Sequence, residues 1–238
     1  MSVKKAAPAW LRWGSTILAI LMLAGMVGMV FFYAPVEKTM GFIQKVFYFH
    51  ISSGWVGMFS FLVAAVASVL WLANKQKETF INKLILLDTI SLRAVQAGLF
   101  FSLIVIITGM FWAKATWGVY WVWEPRLTTV AIMFLIYAAC LLLRQSIEEP
   151  TTRARISAIY TIIGFLSVPI TFLSIRLFPT IHPLVVGTGE SAFNMDARMM
   201  ATVIFSLAAF TILYLAIMFH LVQIPVKSIS DPVSKESA

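Results

Sequence analysis

Residues 115–129 read ATWGVYWVWEPRLTT: Trp117, Trp121 and Trp123 lie in seven positions, with Tyr120 between them and Glu124, Pro125 and Arg126 closing the stretch. Apolar runs flank it on both sides, 94–112 and 127–143. Uncharged runs of this length read as membrane spans, so the stretch is a loop between two spans. Working outward, four more long apolar runs occupy 13–33, 46–72, 156–178 and 199–222, with Arg176 the one charged residue among them. Lipid offers no partner for backbone polar groups, so such runs are helices. The expectation is an all-α polytopic membrane protein with six transmembrane helices, residues 1–222, followed by a polar tail, 223–238.

Composition agrees. Hydrophobic residues make up 61% of the chain and charged residues 12%, against roughly 25% charged in soluble domains. A net charge of +8 would suggest nucleic acid in a soluble protein. Here topology signals and anionic headgroups account for it, and no nucleic-acid partner is expected. The single cysteine, Cys140, lies inside an apolar run, and neither CxxC nor GxxxxGK[ST] occurs. That excludes a thiol oxidoreductase, a chain carrying its own covalent haem and a P-loop ATPase.

The first run is too long for a signal-peptide core of about 7–15 residues, so it reads as a retained span. Pro169 is expected to kink the fifth span. Segment 73–93 is basic, and its second half, LILLDTISL, either lies in the interface or extends the third helix. Lys and Arg number twelve in the two ends, 73–93 and 144–155, against six on the other side. The richer side is cytoplasmic by the positive-inside rule. Both termini are then cytoplasmic, and the loops 115–129 and 179–198 face outward.

Of three histidines, His50 (QKVFYFHISSGW) and His182 (FPTIHPLVVG) fall on the same outer side as the tryptophans, and His220 falls on the opposite side. A lone interfacial histidine is usually just a polar residue at the headgroups; two beside an aromatic loop are candidates for function. Imidazole is a common axial ligand of haem iron. Ser53, Gly54 and Gly57 follow His50, either for close helix packing or to clear room for a planar ring. His220 suits a helix C-terminus. Thr108, Ser167 and Thr171 read as ordinary helix hydroxyls.

The tryptophans admit two readings. One is an aromatic belt at the headgroups, which suits Trp10, Trp13 and Trp71. The other is a ligand platform: at helical spacing Trp117, Trp121 and Glu124 share a face, with Tyr120 beside them, and the segment would lie flat on the outer surface. Arg126, Arg176 and Arg198 are candidate partners for an anionic group. A haem fits such a platform, being flat, apolar in the middle and carboxylated at one edge.

The motif WGxxWxWEPRLT resembles the tryptophan-rich WWD signature of membrane haem-handling proteins, and most closely the cytochrome c maturation protein C (haem exporter protein C) family. KVFYFHISSGW, which ends in Trp55, resembles that family's first histidine segment, and IHPLVVG lies where its second histidine falls. Glu124 stands in place of the family's Asp, and Tyr120 in place of a tryptophan often found there. The resemblance implies a bacterial inner-membrane protein that holds haem b as transient cargo on the periplasmic side. His50 and His182 would be the axial ligands; Trp117, Tyr120, Trp121, Trp123, Glu124, Arg126 and Trp55 would bind the cofactor or form the edge facing a chaperone. It further implies ABC transporter subunits of the A and B type, a small D-type subunit and a periplasmic haem chaperone of the E type as partners, with ATPase activity in those partners and no enzymatic step here. His182, before Pro183 and near Gly187 and Gly189, would be the ligand that lets go.

Two other readings stand beside it. A cytochrome c synthase of the larger WWD type would attach haem covalently, but such proteins resemble longer chains with histidines inside the membrane. An unrelated transporter would need polar residues at mid-membrane, and these spans hold few.

Overall fold

The computed structural model describes residues 7–37, 40–74, 81–182 and 195–224. Its helices are α1 (Ala9–Gly28, extended by a π-helical turn, Met29–Tyr33), α2 (Lys45–Asn74, entered through a 3-10 turn, Phe42–Gln44), α3 (Ile81–Trp117), α4 (Pro125–Gln145), α5 (Pro150–Phe165), α6 (Ser167–Leu177) and α7 (Ala197–Leu221). With α5 and α6 taken as one broken span, six segments are long and apolar enough to cross a membrane. Among the described residues there is no strand. The tail beyond residue 224 and the glycines at 187 and 189 lie outside the described residues.

α2 is the central element, packed along α3 and against α5 and α7, while α1 rests mainly on α7. Small residues allow the close α2–α3 approach. On α3, Ala94, Gly98 and Ser102 repeat every four residues. Ser60 donates from Oγ to the Ala94 carbonyl at 2.8 Å, and a Cβ on Gly57 would stand 3.2 Å from Ser102 Oγ. A Cβ on Gly98 would collide with the ring of Phe61, which stacks on Tyr137 of α4 at 3.6 Å with the planes 4° apart.

LILLDTISL is part of α3 and not an interfacial segment, because its polar groups are satisfied inside the bundle. Arg144 of α4 grips Asp88 with two bonds, 2.8 and 2.6 Å, and Ser91 shares a proton with Ser68 of α2 at 2.8 Å. His220 lies at this same end, 3.0 Å from Thr16 Oγ1, where it ties α7 to α1.

Two helix starts use the same device, Glu–Pro. Proline at the first helical position loses no needed N–H, and the preceding glutamate caps the turn. Glu124 accepts from Leu127 N at 2.7 Å; Glu149 accepts from Thr151 N at 2.8 Å and from Thr152 N.

The fifth span breaks as well as bends. Pro169 has no N–H for the Phe165 carbonyl, α5 stops at Phe165, and Ser167 Oγ donates to the Gly164 carbonyl at 2.6 Å. Beyond the break α6 leaves α2 and lies on α4, held by Arg126 Nη1 donating to the Thr171 carbonyl and by Thr171 Oγ1 donating to the Thr129 carbonyl at 3.2 Å. That divergence leaves space between α6 and the pair α2 and α7.

Candidate functional site

The space is a cavity of about 580 Å³, walled by α2, α3, α4, α6 and α7. His50, His182, Trp117, Trp121, Trp55 and Arg126 all line it. Its walls run from these residues down to Leu62 of α2. At 1.5 Å per residue that is a depth of about 18 Å below His50, which reaches the middle of a bilayer. The expected shelf on the outer surface is therefore the mouth of a deep apolar shaft.

His50 sits in the second turn of α2. Its Nδ1 is 3.0 Å from Thr108 Oγ1 on α3. That hydroxyl has one proton, which goes to the Ile104 carbonyl at 2.6 Å. Thr108 therefore accepts, His50 carries its proton on Nδ1, and the Nε2 lone pair is left for a metal. A Cβ on Gly109 would stand 3.1 Å from His50 Cε1, so this glycine makes room for the ring. Of the small residues after His50, Gly54 lines the cavity while Gly57 serves helix packing against α3.

His182 lies beyond the end of α6, with its ring 6.4 Å from those of Trp112 and Trp117. The backbone N–H of His182 donates to Thr180 Oγ1 at 3.0 Å, and Thr180 Oγ1 donates to Glu124 Oε2. Trp55 stacks on Phe59 at 6.0 Å and donates from Nε1 to Thr211 Oγ1 of α7 at 3.1 Å.

The indole N–H groups of Trp112 and Trp121 are buried and bond to no protein acceptor. Both rings line the cavity, as do Arg126 and Arg176. Buried donors in native structures are rarely left over. Indole rings and two arginines around an apolar shaft suit a flat ligand with an anionic edge.

The helical face expected through the loop is absent. Gly118 takes φ +75°, a left-handed conformation that ends α3 at Trp117, and Pro125 biases Glu124 to extended backbone, φ −97° and ψ 163°. The extended stretch sends its side chains different ways. Trp117 and Trp121 face inward. Tyr120 and Trp123 are 50% and 75% exposed and stay outside the cavity, Tyr120 edge-on to Phe111 and Trp123 edge-on to Trp121. Glu124 is buried, capping α4 and holding Thr180, so it does not form an exposed edge. Sequence reasoning passed over Thr108 as an ordinary hydroxyl, left Trp112 outside the site, and did not single out Thr180. A threonine about two turns before the loop and 58 residues from its histidine carries no local signal.

Fold and site together define a polytopic helical membrane protein with an apolar, imidazole-lined cavity among its described residues. The chain belongs to the Heme exporter protein C family, whose model matches residues 2–233. It is 27% identical over 207 residues to Heme exporter protein C of Bradyrhizobium diazoefficiens, covering 87% of this chain and 75% of that one. Over 184 residues it is 24% identical to Heme exporter protein C of Escherichia coli K12, covering 77% and 70%. A putative cytochrome c biosynthesis ccmC-like mitochondrial protein of Marchantia polymorpha is 31% identical over 149 residues, 63% of this chain and 59% of that one. Membership places the protein in haem handling for cytochrome c maturation.

Proposed function

We propose that the protein holds haem b in this cavity as transient cargo, with His50 and His182 as axial ligands, and passes it to a periplasmic haem chaperone of the E type. The loop end of the bundle is then periplasmic, both termini are cytoplasmic, and the membrane is the bacterial inner membrane. The observation that carries the reading is the convergence of two imidazoles on one apolar cavity that is also lined by Trp112, Trp117, Trp121, Arg126 and Arg176. Bis-imidazole ligation fills both open iron positions, which suits carriage over oxygen chemistry. Trp112, Trp121, Arg126 and Arg176 receive the propionates. The exposed rings of Tyr120 and Trp123 are free of the cavity and form the surface a chaperone meets. The A- and B-type transporter subunits and the D-type subunit assemble around the same bundle, and ATP hydrolysis resides in them. The apolar shaft suits haem that arrives from lipid or at the outer side.

The test is the absorbance spectrum of purified protein. A Soret band is expected, and it should vanish in the His50→Ala/His182→Ala double variant. A full-strength Soret band in that variant would end the proposal.

A further inference from the structure

The two histidines are anchored unequally. His50 belongs to α2, and its free ring nitrogen is set by Thr108. His182 belongs to no helix: α6 ends at Leu177. Beside its ring contacts with Trp112 and Trp117 of α3, a chain of two hydrogen bonds that begins on Glu124 reaches its backbone.

We propose that Thr180, braced by Glu124, is a positioning residue for His182, so that breaking this side-chain bond loosens the second haem ligand. This rests on the reading of His182 as a ligand. Both oxygens of the Glu124 carboxylate are engaged. Oε1 accepts from Leu127 N at 2.7 Å, which fixes the carboxylate to the first turn of α4. Oε2 accepts from Thr180 Oγ1. The threonine proton is thereby committed, and its lone pair accepts the His182 N–H at 3.0 Å. The hydroxyl must donate one way and accept the other, which serine reproduces and valine does not. The chain links α4, whose residues Arg126 and Leu127 line the cavity, to the backbone of His182, whose imidazole packs against Trp112 and Trp117. Glu124 and Thr180 are 56 residues apart, so the brace joins the tryptophan loop to the histidine loop.

The experiment loads the full chain, in detergent, with ferric haem and reads resonance Raman coordination markers together with the rate of haem loss to apomyoglobin. His182→Ala is the reference and should convert the iron from six-coordinate low-spin to five-coordinate. Thr180→Val is expected to give a mixture of the two states and haem loss about tenfold faster, and Thr180→Ser to restore both. Glu124→Gln keeps an acceptor for Leu127 N but offers Thr180 an N–H, and should move the same way as Thr180→Val. Six-coordinate iron and haem loss within twofold in both Thr180→Val and Glu124→Gln would overturn the brace while leaving the ligation reading intact. An unchanged spectrum in His182→Ala would overturn that reading itself.

Discussion

Thr108 Oγ1 stands 3.0 Å from His50 Nδ1, with its own proton given to the Ile104 carbonyl at 2.6 Å. The threonine therefore fixes the tautomer of the imidazole as well as its place. Outer partners of this kind are worth about 10–100-fold in metal affinity. Thr108→Val should weaken haem binding within that range, and Thr108→Ser should retain it. Haem titration followed at the Soret band decides; equal affinity in the valine variant would remove Thr108 from the site.

Trp112 and Trp121 each hold a buried N–H without a protein acceptor. If these donors meet the propionates, Trp121→Phe should lose a charge-assisted hydrogen bond, about 1.5–3 kcal/mol. The loss should appear with haem and not with haem dimethyl ester, which lacks the anionic edge. An equal loss for both ligands would make the ring, and not its N–H, the contributor.

Asp88 and Arg144 form a bidentate pair with side chains 12% and 8% exposed. Removing one partner leaves a buried charge alone, at a cost of about 3–5 kcal/mol, whereas replacing both with apolar residues costs much less. Asp88→Leu should therefore lower thermal stability sharply, and Asp88→Leu/Arg144→Met should recover most of it. Since the pair lies at the opposite end of α3 and α4 from the cavity, the double variant should bind haem normally.

Glu149 caps α5 from a fully exposed position. Its bonds to Thr152, and then to Thr151, push its pKa down to about 2 from an ordinary 4.5. The carboxylate is favoured by folding, so the cap is at full strength above pH 4.5 and is lost as pH falls toward 2. Amide exchange at Thr151 and Thr152, corrected for the intrinsic pH dependence, should accelerate across that window. Glu149→Gln should flatten the response; an acceleration that persists in this variant would assign the effect to another group.

Much was legible before any coordinate. Six apolar runs became six spanning segments, since length and polarity are properties of the chain alone. Pro169 announced the break in the fifth span. The sharing of one side by His50, His182 and the tryptophans followed from counting spans. The loop was misread as helix because Trp117, Trp121 and Glu124 have helical spacing; Gly118 and Pro125 override it through backbone conformation. The depth of the cavity was not legible either. It arises because α6, once released at Leu166, packs on α4 and not on α2.

What the chain by itself determined was therefore the number of spans, their breaks and caps, and the residue types able to hold a haem. Each of these depends on neighbours within a few positions. Tertiary structure alone decided that Trp121 faces the cavity while Trp123 faces away, that Thr108 orients His50, and that Glu124 is tied to Thr180. Those facts depend on which helix faces meet, and a hydroxyl or carboxylate carries no mark of a partner more than fifty residues away until packing brings the two within hydrogen-bonding distance.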